Sequence, residues 1–197
     1  MNERKPFIVE FTGSPEAGKT TVIHILQNRL LKMGYTVKVF PESAEICPKS
    51  FPKNSLEAKL WINLDTLTNI VQAPFLSKYD IILFDRGAMD GLFWINIDAR
   101  YHPNVFLKTA SFEELFKSYP PNLLIALYAS EDESIKRRGG EGKIVTKSFV
   151  EYYKSLFKIF FNSLQCNSFF IRTNKITIEE VVETAQKSIL ENMENHS

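Results

Sequence analysis

The sequence predicts an α/β protein with a mostly parallel sheet. Three observations carry that expectation. Short apolar runs of strand length alternate with stretches of helical periodicity along the 197 residues. Two runs, 80–85 and 123–128, are apolar almost throughout, as central parallel strands covered on both faces require. Between the first strand and the first helix, Gly13, Gly18, Lys19 and Thr20 fit G-x-x-x-x-G-K-[ST].

The elements follow in order. Phe7–Phe11 is a β-rich run that predicts the first strand. Val22, Ile23, Ile25, Leu26, Leu30 and Leu31 recur at helical spacing until Gly34, a C-terminal stop. Thr36–Phe40 alternates with period two as a second strand and ends at Pro41-Glu42-Ser43-Ala44-Glu45. Residues 46–55, with Pro48, Pro52 and Asn54, read as a loop, and Ser55 is placed to cap a helix from about Leu56 to Val71. Asp80–Asp85 is the third strand; Asp85-Arg86-Gly87-Ala88-Met89-Asp90-Gly91 and a helix from Leu92 to Ile97 follow it. Residues 98–110 read as irregular. Ser111 opens a short helix with an S-x-x-E capping box, which ends before Pro120-Pro121. Leu123–Tyr128 is a buried strand, Ser130–Arg138 a helix, Lys147–Leu164 a longer helix, Ser168–Arg172 the last strand and Thr177–Asn192 a closing amphipathic helix. No repeat or linker intervenes, so 1–197 is expected to be one domain.

Composition narrows the partners. The chain is 44% hydrophobic and 24% charged with a net charge of +1, which gives no bulk attraction to nucleic acid or a membrane surface. Cys47 and Cys166 form no metal-spaced pair, so a reduced, cytoplasmic setting is expected. Residues 1–6 lack the apolar core of a signal peptide, and no run reaches the length of a transmembrane helix.

The glycine loop is the centre of the chemistry. Gly13, Ser14, Pro15, Glu16, Ala17, Gly18, Lys19, Thr20 and Thr21 can turn backbone N–H groups around phosphates, and the helix beyond adds its positive end. Lys19 reaches the β- and γ-phosphates, and the Thr20 hydroxyl is a ligand for Mg²⁺. Asp85, ending a buried strand, is the acidic partner that holds Mg²⁺ opposite Thr20. Arg86 presents a planar fork suited to phosphate, with a structural salt bridge as its alternative. Arg137-Arg138-Gly139-Gly140-Glu141-Gly142-Lys143 joins a basic helix end to a glycine-rich segment, expected to close as a lid over about 136–147 and place cations on the transferring group. Glu42 ends the second strand and is the candidate base for an attacking hydroxyl, with Glu45 as competitor. Trp61, Asn63, Asp65, Phe93 and Trp94 are candidates to receive a base; His24, His102 and His196 form no cluster.

Together these pieces resemble the deoxynucleoside kinase and thymidylate kinase group of P-loop kinases, through Gly13–Thr20, Pro41-Glu42, Asp85-Arg86 and Arg137 to Tyr153. The chain is also similar to small P-loop ATP-binding proteins. The resemblance implies a three-layer P-loop NTPase fold with a five-stranded parallel sheet flanked by helices. It also implies that Glu42 acts as base and that Asp85 and Arg86 are the acidic–Arg pair. Helices 56–71 and 92–97 are a possible homodimer face, as in related kinases. Gly87 departs from the pattern, since the two groups usually carry Ser or Tyr there.

The reading is an ATP- and Mg²⁺-dependent kinase for a small acceptor, a nucleoside or nucleoside monophosphate. Lys19, Glu42, Asp85, Arg86, Arg137 and Arg138 are catalytic, and Lys143 joins the ATP-binding set. The rivals are an ATPase or regulatory switch acting on a protein partner, and a kinase for another small molecule or a polynucleotide. Near-neutral charge argues against long nucleic acid. Asn174-Lys175-Ile176-Thr177 lacks the aspartate of a guanine-reading N-K-x-D.

Overall fold

The computed structural model describes residues 5–52, 55–101, 103–139, 146–163 and 166–195. Strands β1 (Phe7–Gly13), β2 (Val37–Phe40), β3 (Ile81–Asp85), β4 (Leu123–Tyr128) and β5 (Ser168–Arg172) form one parallel sheet in the order β2-β3-β1-β4-β5. The helices are α1 (Lys19–Lys32), α2 (Ser43–Ile46), α3 (Leu56–Gln72), α4 (Ala88–Tyr101), α5 (Pro103–Thr109), α6 (Ser111–Lys117), α7 (Glu131–Arg138), α8 (Lys147–Ser163) and α9 (Ile178–Glu194).

Alternate side chains of the inner strands point to opposite faces and bury against different helices. Val9, Phe11, Leu83, Ile125 and Leu127 meet Val22, Leu26 and Leu30 of α1 and Val181, Ala185 and Ile189 of α9. Ile82, Phe84 and Leu124 meet Met89, Leu92 and Ile95 of α4, with Phe112 and Phe116 of α6 behind them. Ala126 packs under Phe93 of α4 and Tyr153 and Phe157 of α8. Helix, sheet and helix thus form the three layers that the family resemblance implied. Because β1 lies between β3 and β4, the loop after it opens at the carboxyl edge of the sheet, where its neighbours also end.

Several boundaries differ from the sequence reading. Residues 98–110, expected to be irregular, are largely helical: α4 runs on to Tyr101 and α5 begins with Pro103 at a first-turn position, where proline loses no needed hydrogen bond. The capping box expected at Ser111 does not form. Ala110 is the N-cap and makes no side-chain bond, because α5 leads almost directly into α6 and leaves Ser111 as a first-turn residue. A true capping box occurs instead at Thr177 and Glu180, while Ser55 and Ser130 cap α3 and α7. Within 92–97, suggested together with 56–71 for a homodimer face, Leu92, Phe93, Ile95 and Ile97 are buried in the protein's own core, whereas Leu64 of α3 is exposed.

Gly13 has φ +127, and a Cβ there would lie 1.8 Å from the Leu127 carbonyl oxygen on β4. Gly13→Ala is expected to cost more than about 4 kcal/mol or to abolish folding. Gly34→Ala, at φ +93 with open space around a Cβ, is expected to cost only about 1 kcal/mol. Urea denaturation compares them, and similar midpoints would refute the packing argument.

Candidate active site

The phosphate loop leaves β1 at Gly13 and enters α1 at Gly18, which takes a left-handed φ of +88; Glu16 is also left-handed at φ +58. Its outer side is pinned. Ser14 N–H donates to Leu127 O (3.0 Å), and the Ser14 hydroxyl accepts from Ala129 N–H (2.9 Å). The Pro15 carbonyl accepts from Ser134 Oγ (3.0 Å), and the Glu16 carbonyl from Arg137 Nη1 (3.2 Å). Trans peptides point N–H opposite to C=O, so holding these carbonyls on α7 turns the Glu16 and Ala17 N–H groups away from it; that of Ala17 donates to Ser14 O (3.3 Å). Ala17 is buried, while Thr20 and Thr21 are exposed at the start of α1.

Lys19 is folded back within this loop, its Nζ donating to Ser14 O (3.3 Å) and Gly13 O (3.5 Å). Burial, reinforced by nearby Arg86, lowers its pKa to about 8. Tyr153 Oη donates to the same Gly13 carbonyl (2.9 Å), and burial raises the phenol's pKa strongly.

Asp85 and Arg86 end β3 beside the loop. Thr20 Oγ1 donates to Asp85 Oδ2 (2.5 Å), while the buried Asp85 Oδ1 has no hydrogen-bond partner. Arg86, at φ +65, lies between two carboxylates: Nη1 is 2.7 Å from Asp90 Oδ1 and Nε 2.9 Å from Glu42 Oε2. The Nε–H is poorly aligned on that oxygen, so Glu42 contributes mainly as a charge. Burial opposes the guanidinium charge, but Asp90 and Glu42 outweigh it and hold the pKa well above its ordinary value. Thr12 Oγ1 donates to Asp90 Oδ1 (2.6 Å), which ties β1 into the same network. Glu45 stands nearby, its carboxyl pKa raised by burial and then by Glu42 and Asp85.

A cavity of about 240 Å³ opens from this network, walled by α3 and α4. Glu42, Arg86 and Asp90 form its charged end, and Asn63, Ile62 and Trp94 stand along its walls. Of the other proposed base contacts, Asp65 is bonded to Ser43 (2.8 Å) and Asn69 (3.1 Å), and Phe93 packs edge-on to Tyr153 in the core. Trp61 is half-buried and is not part of this cavity wall.

The basic end of α7 lies on the other side of the loop. Arg137 bonds Glu133 (2.9 Å), the Glu16 carbonyl and both the hydroxyl and carbonyl of Thr173 (3.1 and 2.7 Å); Arg138 pairs with Glu16 (3.3 Å). Lys143 and residues 140–145 of the expected lid lie outside the described residues, as do His102 and His196. Asn174 bridges both the backbone and the hydroxyl of Ser130, which explains its place in the N-K-x-T run structurally.

Three partners escaped the sequence reading: Thr12, Asp90 and Glu10. Asp90 is four residues beyond Arg86, a helical pairing distance, and the pair forms because α4 begins at Ala88, earlier than the apolar pattern from Leu92 indicates. Glu10 is a charge inside an apolar strand, which is the informative kind of exception.

No protein-family model matches the chain, and no curated protein matches its sequence. Solved structures match its fold. Deoxyadenosine kinase from M. mycoides, with products dCMP and a flexible dCDP bound, superposes with a TM-score of 0.72 at 16% identity, over 94% of this chain and 100% of that one. The same enzyme with bound dCTP gives 0.68 at 16% identity, with the same coverage. Thymidylate kinase from Candida albicans gives 0.67 at 19% identity, over 98% and 94%. The fold is therefore the deoxynucleoside/thymidylate kinase-like P-loop fold.

The buried Lys19 makes a prediction about the free protein. An amine whose folded pKa is about 8, against 10.5 when solvated, costs stability while both states are protonated; the cost fades as pH rises from 8 towards 10.5. Lys19→Met is expected to raise unfolding free energy at pH 7 by up to about 3 kcal/mol. The gain should shrink by pH 10. Denaturant melts of both proteins across that range check the sign.

Proposed function

We propose that the protein is an ATP-dependent phosphotransferase whose acceptor is a small hydroxyl compound, a nucleoside in preference to a nucleoside monophosphate. The observation that carries this reading is the cavity ending on Glu42, Arg86 and Asp90, beside the phosphate loop. A pure ATPase needs no such chamber.

The loop from Gly13 to Thr21 holds the phosphates of ATP with backbone N–H groups, and Lys19 swings from its carbonyl partners to the β- and γ-phosphates. A Mg²⁺ ion fits the hard oxygens of Thr20 Oγ1 and the unpartnered Asp85 Oδ1, and when bound it neutralises phosphate charge. Glu42 orients the acceptor hydroxyl and accepts its proton, while Arg86 offers positive charge to the group in transfer. Arg138 and Lys143 are assigned to the lid. Arg137 is assigned to holding the loop, since its N–H groups already serve Glu133, Glu16 and Thr173.

Charge favours a neutral acceptor. Among the described residues lining the cavity, Glu42 and Asp90 balance Arg86 and Lys59. A dianionic phosphate would have to compete with two carboxylates for Arg86, whereas a sugar hydroxyl and a base meet the mixed polar and apolar wall without that cost. The test is to incubate the protein with Mg²⁺ and ATP, with and without nucleosides and nucleoside monophosphates, and follow ADP and the new ester. Nucleoside-dependent ADP with a matching product is expected, falling at least about 100-fold in Lys19→Ala. Product from monophosphates alone would reverse the acceptor preference. ADP release indifferent to every acceptor would replace the kinase reading with an ATPase switch.

A further inference from the structure

Glu10 stands within β1 at 2% exposure, on the face that packs against α4. Its carboxylate serves the first turn of that helix. Oε2 accepts the N–H of Met89 (3.1 Å) and Oε1 that of Asp90 (2.8 Å). Gly87 leaves the room: a Cβ there would lie 2.9 Å from Glu10 Oε2. The missing side chain at 87 and the carboxylate from β1 are therefore one arrangement. Asp90, held through its backbone by Glu10, accepts Arg86 and Thr12 through its side chain.

We propose that Glu10 is a positioning residue for phosphoryl transfer: it grips the backbone of Met89 and Asp90 and so sets where Asp90 holds Arg86. This rests on the kinase reading above. Glu10 touches no reacting atom and acts through α4. The groups facing it are Asp90 from α4, Cys166 from the segment before β5, and Tyr119 across a small cavity of about 50 Å³ beside it. Burial pushes the Glu10 carboxyl up to about 7, with its backbone bonds opposing the rise. A protonated carboxyl turns one acceptor oxygen into a donor, so it cannot serve both N–H groups equally well. The grip on α4 loosens as the pH falls through that value.

The experiment is a pH titration of ¹⁵N-labelled protein, following the Met89 and Asp90 amides and Arg86 Nε, alongside kinetics of the wild type, Glu10→Gln and Gly87→Ala. The expected result is that all three signals share one midpoint near 7 in the wild type and that this midpoint vanishes in Glu10→Gln. kcat should fall about 10- to 100-fold in both variants with KM for ATP unchanged, and the acid limb near pH 7 should be lost in Glu10→Gln. If the Met89 and Asp90 amides titrate while Arg86 Nε does not, Glu10 only caps a helix and the proposal is overturned. Unchanged kcat and pH profile in folded Glu10→Gln overturns it equally. Shared titration without acceptor-dependent turnover would support the coupling and remove the kinase reading instead.

Discussion

Arg86 is the constraint on which the rest of the site depends. A buried guanidinium is tolerable only if its charge is answered, and here the answer comes from three directions of the fold. Glu42 arrives from the end of β2, Asp90 from the first turn of α4, and Thr12 from β1 braces Asp90. The network therefore records the strand order: β2, β3 and β1 are neighbours at their carboxyl ends because the sheet runs β2-β3-β1-β4-β5. Truncating one member would leave uncompensated charge at the head of the cavity, which is costlier than removing the pair together.

The phosphate loop is organised by the opposite principle. Its Pro15 and Glu16 carbonyls are tied to Ser134 and Arg137 of α7, and its head is locked to β4 and the residue after it through Ser14, Leu127 and Ala129. Within the loop, Lys19 Nζ rests on the Gly13 and Ser14 carbonyls and Ala17 N–H donates to Ser14 O. Arg137, with bonds to both the loop and Thr173, makes α7 part of the loop's scaffold. The glycine loop and the cavity thus rest on different elements and adjoin at Asp85 and Arg86.

Much of this was legible in the chain. The glycine loop, the buried strands 80–85 and 123–128, and the cap at Ser55 follow from local rules of spacing and side-chain chemistry, and they stand where those rules placed them. The misreadings share a cause. Residues 98–110 and the start of α4 have weak local helical signals; α4, α5 and α6 lie against one another, and the carboxylate of Glu10 holds the first turn of α4. Ser111 carried a capping pattern that was overruled because the preceding turn was already helical.

The sequence by itself determined the α/β class and the glycine loop between β1 and α1, and it singled out Lys19, Thr20, Asp85 and Arg86 as candidates, since these are properties of contiguous residues. Tertiary structure decided what those residues face. Glu10 and Asp90 are 80 residues apart, as are β1 and α4, and only the parallel crossover brings them into hydrogen-bond range. The same closure turns Arg137 from an expected lid cation into a brace and makes a single chamber from α3, α4 and the strand ends. Hydrogen bonds and ion pairs act over a few ångströms of space, whatever the separation along the chain, and the fold alone sets that distance.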